Sequence, residues 1–297
     1  MLRYGMACFG MWLLCGLGSK GFAAEGDESL KITADVVYGH KHGMALTMDV
    51  YQPKDANGAG AIFMVSGGWY SIWAPPEKTM GFFKPLLDAG YTVFAVRHGS
   101  SPKFVIPEIV QDVRRSVRFV RLHAKEYGVD ANKLGVCGGS AGGHLSLYLA
   151  TTADDGDPDA ADEVDKQSCR VAAAVAYFPP TDLRPYVKQD SPYRTNFPAL
   201  QFEEEKADGV SPLLQVSSDD APSLMIHGDK DELVPLWHSE KMEQALEEQN
   251  VATELIIIKD AAHGFGGEDA KTASDAWVAW FDRYLLGKET AASAAGE

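Results

Sequence analysis

Ser140 stands in Gly138-Gly139-Ser140-Ala141-Gly142, between the apolar run KLGVC and the helix-forming run HLSLYLATT. A G-x-S-x-G string directly after a strand and directly before a helix makes a nucleophile elbow. The turn is so sharp that the serine backbone is strained, and the residues two before and two after must be small because strand and helix approach closely there. The hydroxyl is pushed to the carboxyl edge of a sheet. Such a hydroxyl is nearly inert at neutral pH, so the chemistry needs a base within hydrogen-bond reach and an acid to orient the base. Both stand downstream, each just after an apolar strand-like run: Asp229 and Asp231 in SLMIHGDKDELVP, and His263 in TELIIIKDAAHGF. Serine, then acid, then histidine is a chain order that serves this chemistry on a parallel sheet. The competing use of a glycine-rich turn, phosphate binding on helix amides, wants a G-x-G-x-x-G spacing or a P-loop lysine, and this turn has neither.

These residues need a scaffold, and the chain alternates two signals from Ala34 to Gly287. Short apolar runs (ALTMDVY, AIFMVS, YTVFAV, KLGVC, VAAAVAYF, SLMIHG, TELIIIK) alternate with longer segments of helical period. That rhythm predicts βαβ units. Runs apolar on both faces suit parallel strands covered from either side, so the expected fold class is α/β: a doubly wound, mostly parallel sheet of the eight-stranded type with helices on both faces. The clearest helix is Pro107 to Tyr127, with Ile109, Val113, Val117 and Val120 as its apolar stripe. Others are expected over about Pro235 to Glu248 and Ala270 to Leu286. No linker divides the chain, so one domain is expected over residues 25–288, with a disordered tail at 289–297. Between Pro179 and Ser211 the sequence becomes irregular and proline-rich, as a short lid-like insertion over the sheet edge would.

Composition sets limits. The chain has 297 residues, 45% of them hydrophobic, and a formal net charge of −15, which argues against nucleic acid and against attraction to an anionic membrane. Arg3, then MACFGMWLLCGLG, then Gly21 to Ala24 read as a signal peptide over residues 1–24, too short for a spanning anchor. Export to the periplasm or medium is expected, without stable membrane association. Leu14 before Cys15 is not the small residue a lipid anchor wants. Cys137 and Cys169 remain after cleavage and are expected as two buried free thiols at opposite ends of neighbouring strands. The acidic stretch Asp154 to Asp165 lacks the glutamate and glycine offsets of a calcium loop, so it reads as a solvated loop.

The strings GGSAGGHL, HGDKDELVP and AAHGF make the chain, from about Val36 to Leu286, resemble the α/β-hydrolase superfamily. Within it, the similarity is to serine esterases of the hormone-sensitive lipase-like, feruloyl and acetylxylan esterase branch. The resemblance implies a catalytic triad of Ser140, His263 and Asp231, with Asp229 as turn former. It further implies a two-step acyl transfer through an acyl-enzyme, with no metal or organic cofactor. His227 is expected to stabilise the acid loop, His144 to pack under the elbow helix, and His98 and Asp182 to be structural.

Oxyanion stabilisation needs backbone amides, one from Ala141 and one from the loop SGGWYSIW, where Gly67 and Gly68 are the main candidates and Trp69 the third. Relatives carry His-Gly-Gly in this loop; here the histidine position falls on Ser66 or Val65, so the loop must be supported otherwise. Trp69 and Tyr70 are candidate substrate contacts, and with Trp73, Phe178, Pro179, Tyr186 and Tyr193 they could form an aromatic cleft for sugar or phenolic groups. The expected activity is hydrolysis of short-chain or carbohydrate-linked carboxylic esters. Two alternatives remain open: a serine peptidase of the prolyl oligopeptidase type, although only a short segment precedes the first strand where such enzymes carry a propeller, and a non-catalytic binding protein on the same fold.

Overall fold

The computed structural model describes residues 29–288; the expected signal peptide at 1–24 and tail at 289–297 lie outside them. One sheet holds eight strands: β1 Leu30–Lys41, β2 Met44–Pro53, β3 Gly60–Met64, β4 Thr92–Val96, β5 Leu134–Gly139, β6 Ala173–Tyr177, β7 Ser223–Gly228 and β8 Thr253–Ile258. Their spatial order is β1-β2-β4-β3-β5-β6-β7-β8. β2 runs antiparallel to both its neighbours, and β4, β3, β5, β6, β7 and β8 are mutually parallel. The apolar runs read from the sequence are β2 to β8. β1 is the addition: an edge strand whose register shifts twice against β2 and whose residues are mostly half-exposed or exposed, so no clean alternation marks it.

Helices follow the strands as βαβ crossovers demand: α1 Pro76–Asp88, α2 Ile106–His123, α3 Ala141–Thr151, α5 Trp237–Glu248 and α6 Gly267–Leu286, with the short α4 Pro192–Asn196 in the insertion. The expected helix to Tyr127 ends as α2 at His123 and continues as a 3-10 turn over Ala124–Tyr127, closed by left-handed Gly128. Strand residues divide between two cores by parity. Ile62, Phe94, Val96 and Val136 pack with α2 and α3, whereas Ala61, Val93, Ala95 and Cys137 pack with α1 and α6. Burying both faces of the parallel strands is what their unbroken apolar runs require.

The insertion is a packed cover. Leu183, Val187, Ala199, Leu200, Phe202 and Val210 are buried and join the core on the α2/α3 side. One guanidinium nitrogen of Arg194 donates to the carbonyls of Val187, Leu200 and Phe202 at 2.7, 3.0 and 2.8 Å, which fixes a segment too short of hydrogen-bonded regular structure to fix itself. Cys137 and Cys169 are free and buried, as expected. The acidic stretch departs from expectation. It is docked, not merely solvated: Asp154 pairs with Arg114 and Arg118, and Asp162 and Asp165 pair with Arg115, all arginines of α2.

Candidate active site

The elbow between β5 and α3 holds Ser140 at φ 53° and ψ −118°, a left-handed backbone that L residues rarely adopt. Its N–H donates to the Tyr177 carbonyl at 2.8 Å and its own carbonyl accepts from the His144 N–H at 2.9 Å, so both sides of the turn are fixed. The small flanking residues are obligatory. A Cβ on Gly138 would lie 2.7 Å from the Gly142 carbonyl, and one on Gly142 would lie 2.6 Å from the Met64 carbonyl.

The loops after β7 and β8 bring the two partners to this edge. A Cβ on Gly228 would lie 2.2 Å from the Ala261 carbonyl, so only glycine lets the loops touch, and the Lys230 N–H donates to that carbonyl at 2.9 Å. His263 Nε2 lies 2.9 Å from Ser140 Oγ, and His263 Nδ1 lies 2.6 Å from Asp231 Oδ2. An ionised carboxylate can only accept, so Nδ1 carries the proton and Nε2 is left to accept from the serine. The His263 ring rests against Phe178, with centroids 4.5 Å apart.

Asp231 is held as an anion. Burial pushes its carboxyl up, but hydrogen bonds from His227 and His263 and from the loop amides outweigh that and hold it well below the usual carboxylate range. Oδ1 accepts from the Leu233 and Val234 N–H groups at 2.9 Å each. His227 supports the same loop: its Nε2 donates to the Val234 carbonyl at 2.8 Å and faces Asp231 Oδ2 at 3.3 Å, while Nδ1 accepts from the Ser239 hydroxyl at 2.7 Å. Asp229 does not reach the imidazole in this way; its Oδ1 accepts from the Asp260 N–H at 2.6 Å and braces the turn after β8. Asp182 is occupied by a two-point ion pair with Arg184.

The loop after β3 makes a tight reversal. Gly67 and Tyr70 exchange N–H to carbonyl bonds at 3.0 Å each way, around Gly68 at φ 56° and Trp69 at φ 61°, the backbone signs of a type I′ turn. The expectation for Gly67 is corrected here: its N–H is spent on the Tyr70 carbonyl. Gly68 instead lines the cavity beside Ser140, and Ala141 opens α3, where first-turn amides have no helical acceptor. The role of the missing loop histidine falls to the loop after β4. The Ser66 hydroxyl lies 2.9 Å from His98 Nε2, the Ser101 N–H donates to the Trp69 carbonyl at 3.0 Å, and the Ser71 N–H donates to Ser100 Oγ at 2.9 Å. Burial lowers the His98 pKa to about 4, so it supports the loop as a neutral ring.

A serine oriented toward an imidazole, an imidazole fixed by a buried carboxylate, and amides around the same point can carry out nucleophilic acyl transfer. A family model described as BD-FAE matches residues 48–246. The chain belongs to the BD-FAE family. Among curated proteins it is 27% identical over 243 residues to the probable carboxylic ester hydrolase LipM of Mycobacterium tuberculosis, covering 76% of this chain and 55% of that protein. It is 28% identical over 262 residues to an ethyl acetate hydrolase of Pseudomonas putida, covering 82% of this chain and 78% of that protein. The chain thus spans little more than half the length of LipM and of other mycobacterial relatives. Among solved structures, a truncated carbohydrate esterase from gut microbiota superposes with a TM-score of 0.71 at 25% identity, over 86% of this chain and 98% of that one. The fold is that of α/β-hydrolases.

In this BD-FAE chain the space beside Ser140 is a cavity of about 20 Å³, walled by Trp69, Tyr186, Tyr193, Phe197, Leu200 and Leu233 among others. Of the expected aromatic contacts, Trp69, Tyr186 and Tyr193 reach that wall, and Tyr70 does not. Trp73 is 55% exposed on the loop leading to α1, and Phe178 serves His263. Phe197, Leu200 and His238 were not legible as site residues. His238 is buried, accepts from the Thr181 N–H at 3.0 Å and lies 2.6 Å from the Tyr186 hydroxyl, which anchors a cavity wall to α5. These positions fall in an irregular stretch or on a helix face with no local pattern to mark them.

Proposed function

We propose that this chain is a serine carboxylesterase that hydrolyses short-chain or carbohydrate-linked esters through Ser140, His263 and Asp231. The observation that carries the reading is the continuous line Ser140 Oγ to His263 Nε2 at 2.9 Å and His263 Nδ1 to Asp231 Oδ2 at 2.6 Å, on a strained elbow that points the hydroxyl at a cavity.

In the first step His263 takes the Ser140 proton as Oγ bonds to the ester carbonyl carbon. The carbonyl oxygen becomes an anion held by the Gly68 and Ala141 amides. As the tetrahedral intermediate collapses, the bond to the alcohol oxygen breaks and His263 delivers its proton to that oxygen. Water then repeats the sequence: His263 takes a water proton, the hydroxyl attacks the acyl carbon, and the proton returns to Ser140 as the acid leaves. Asp231 stays ionised throughout and holds the imidazole in one tautomer.

The cavity beside Ser140 is small and walled by aromatic and aliphatic side chains, which supports a short acyl group over a long one. Exposed Trp73 and Ile72, on the loop that leads away from the Gly68 turn, offer a surface for a sugar alcohol, in keeping with the likeness to a carbohydrate esterase. The leader read in residues 1–24 supports action outside the cytoplasm.

The test is turnover of p-nitrophenyl acetate, acetylated xylan, methyl ferulate and a prolyl anilide by the wild-type chain and by Ser140→Ala. Ester turnover that falls roughly 10³-fold or more in the variant, with fluorophosphonate labelling lost, is the expected result. Undiminished hydrolysis by Ser140→Ala rejects the reading, and cleavage of the anilide in preference to the esters replaces it with a peptidase.

A further inference from the structure

Trp69 occupies a left-handed backbone at φ 61° beside Gly68, whose amide the proposed reaction uses. A bulky residue persists in that region only where its surroundings over-determine it. Here the indole is 4% exposed, sits edge-on to His144 and Phe197 with centroids 5.6 and 6.3 Å away, and donates its N–H to His144 Nδ1 at 3.2 Å.

That last bond determines the rest of the imidazole. An indole N–H can only donate, so Nδ1 is the acceptor and Nε2 carries the proton, which it gives to the Val210 carbonyl of the insertion at 2.7 Å. The backbone N–H of the same residue donates to the Ser140 carbonyl, one turn below the nucleophile. One fully buried residue on α3 therefore joins the elbow through its backbone, and the Gly68-Trp69 turn and the cover of the cavity through its ring. Burial also lowers its pKa to about 4, so the donor and acceptor stay as assigned at neutral pH. An apolar side chain of the same volume would fill the space and make neither directed bond.

We infer that His144 is a positioning residue for the oxyanion site: through Trp69 it fixes the turn that aims the Gly68 amide, and through Val210 it registers the cavity cover to the same helix. The inference rests on the esterase reading above. It concerns alignment in the transition state, so it predicts a loss in kcat at nearly constant KM, which a packing role alone would not produce.

The experiment compares His144→Ala, His144→Gln and Trp69→Phe with the wild-type chain on p-nitrophenyl acetate, with Ser140→Ala as the control for the chemistry. The expected fall in kcat for His144→Ala is roughly 10- to 100-fold, below the loss of a whole oxyanion donor, with KM changed less than about threefold. His144→Gln recovers most of it, because its side-chain carbonyl can accept from Trp69 and its amide can donate to Val210. Trp69→Phe, which removes the indole N–H together with part of the ring, loses kcat to a similar degree, and adding His144→Ala to it costs little more. A carbonyl-13C trifluoromethyl ketone gives a direct readout: Ser140 Oγ bonds to the carbonyl carbon, its proton passes to His263, and the hemiketal oxyanion ionises at higher pH in His144→Ala than in wild type.

Should His144→Ala fail to fold, the Gln and Phe variants decide. Unchanged kcat with an unchanged hemiketal titration in any folded variant lacking the Trp69 contact overturns the inference. So does a change confined to KM. Retained activity in Ser140→Ala would instead strike the esterase reading, so the two failures are distinguishable.

Discussion

The two faces of the sheet are held by different means. On the α1/α6 face the packing is ring on ring: Phe63, Phe82, Phe83 and Trp277 meet edge-on or tilted at centroid distances from 5.1 to 6.4 Å, and Phe281 closes on Tyr91 and Trp277. The opposite face buries imidazoles. His144, His227 and His238 lie there fully covered, each making one accepting and one donating contact to a named partner. Rings fill volume and tolerate small rotations, whereas an imidazole with both nitrogens engaged fixes the direction of what it touches. The face under the cavity cover adds directed bonds to an apolar core of its own, and the contrast is one of ring packing on one side against packing joined to alignment on the other.

The largest effect expected from this division is at Asp231. Asp231→Asn keeps the shape of the side chain but can donate to His263 Nδ1, favouring the wrong imidazole tautomer, so kcat should fall on the order of 10⁴-fold. Asp229→Asn, two residues away and bound to the turn after β8 and to Lys230, should lose less than about tenfold. Steady-state ester hydrolysis of both variants checks this. Equal losses would mean that the loop as a whole, and not the carboxylate beside His263, sets the rate.

On the ring face the balance should reverse. Phe281 is fully buried, and its ring atoms lie 2.7 Å from where a Cβ on Gly135 would stand, so α6 is packed directly onto β5. Phe281→Ala leaves a cavity that the surrounding rings close only in part, and should lower unfolding free energy by about 3–5 kcal/mol. Its kcat well below the unfolding midpoint should stay within about threefold of wild type. Urea midpoints and ester assays on the same samples provide both numbers. A large kcat loss in a folded variant would break the comparison.

What the sequence disclosed follows the same line. The elbow, the acid loop and the histidine loop are local patterns, in which spacing and neighbouring strand runs dictate geometry, so Ser140, Asp231 and His263 were legible, as were β2 to β8. Contacts between distant segments were not. The Trp69–His144 bond joins positions 75 residues apart and Tyr186–His238 joins positions 52 apart, with no periodicity in the insertion to place one against the other. The sequence also gave no sign that Gly67 would close its own turn, because the choice of which amide pairs with Tyr70 is made by consecutive left-handed residues at 68 and 69, one of them a tryptophan. The arginines of α2 and the aspartates of the acidic stretch were each visible, but their pairing depends on how α2 lies across the loop after α3.

The smallest effect is a proton count, and it reads the imidazole face directly. Burial lowers the pKa values of His98, His144 and His238 from 6.5 to about 4, 4 and 3. Above pH 6.5 both folded and unfolded chains hold these rings neutral, so they contribute no pH dependence. As pH falls below 6.5 the unfolded chain takes up protons that the folded chain refuses, so stability declines until the folded pKa values are reached. Asp112 and Asp220, whose carboxyls burial raises, work in the opposite sense near the bottom of this window, and Asp231, held low, adds to the loss as pH falls through the unfolded carboxylate range. Between pH 6 and 4.5 the unfolding free energy should therefore rise with pH. His238→Gln, which retains an acceptor for the Thr181 N–H and a donor for the Tyr186 hydroxyl, should reduce that slope by one proton, about 1.4 kcal/mol per pH unit. Urea titrations across the window measure it. An unchanged slope would mean that His238 is protonated in the folded chain, and that the Tyr186 wall of the cavity is anchored by a cation and not by a neutral ring.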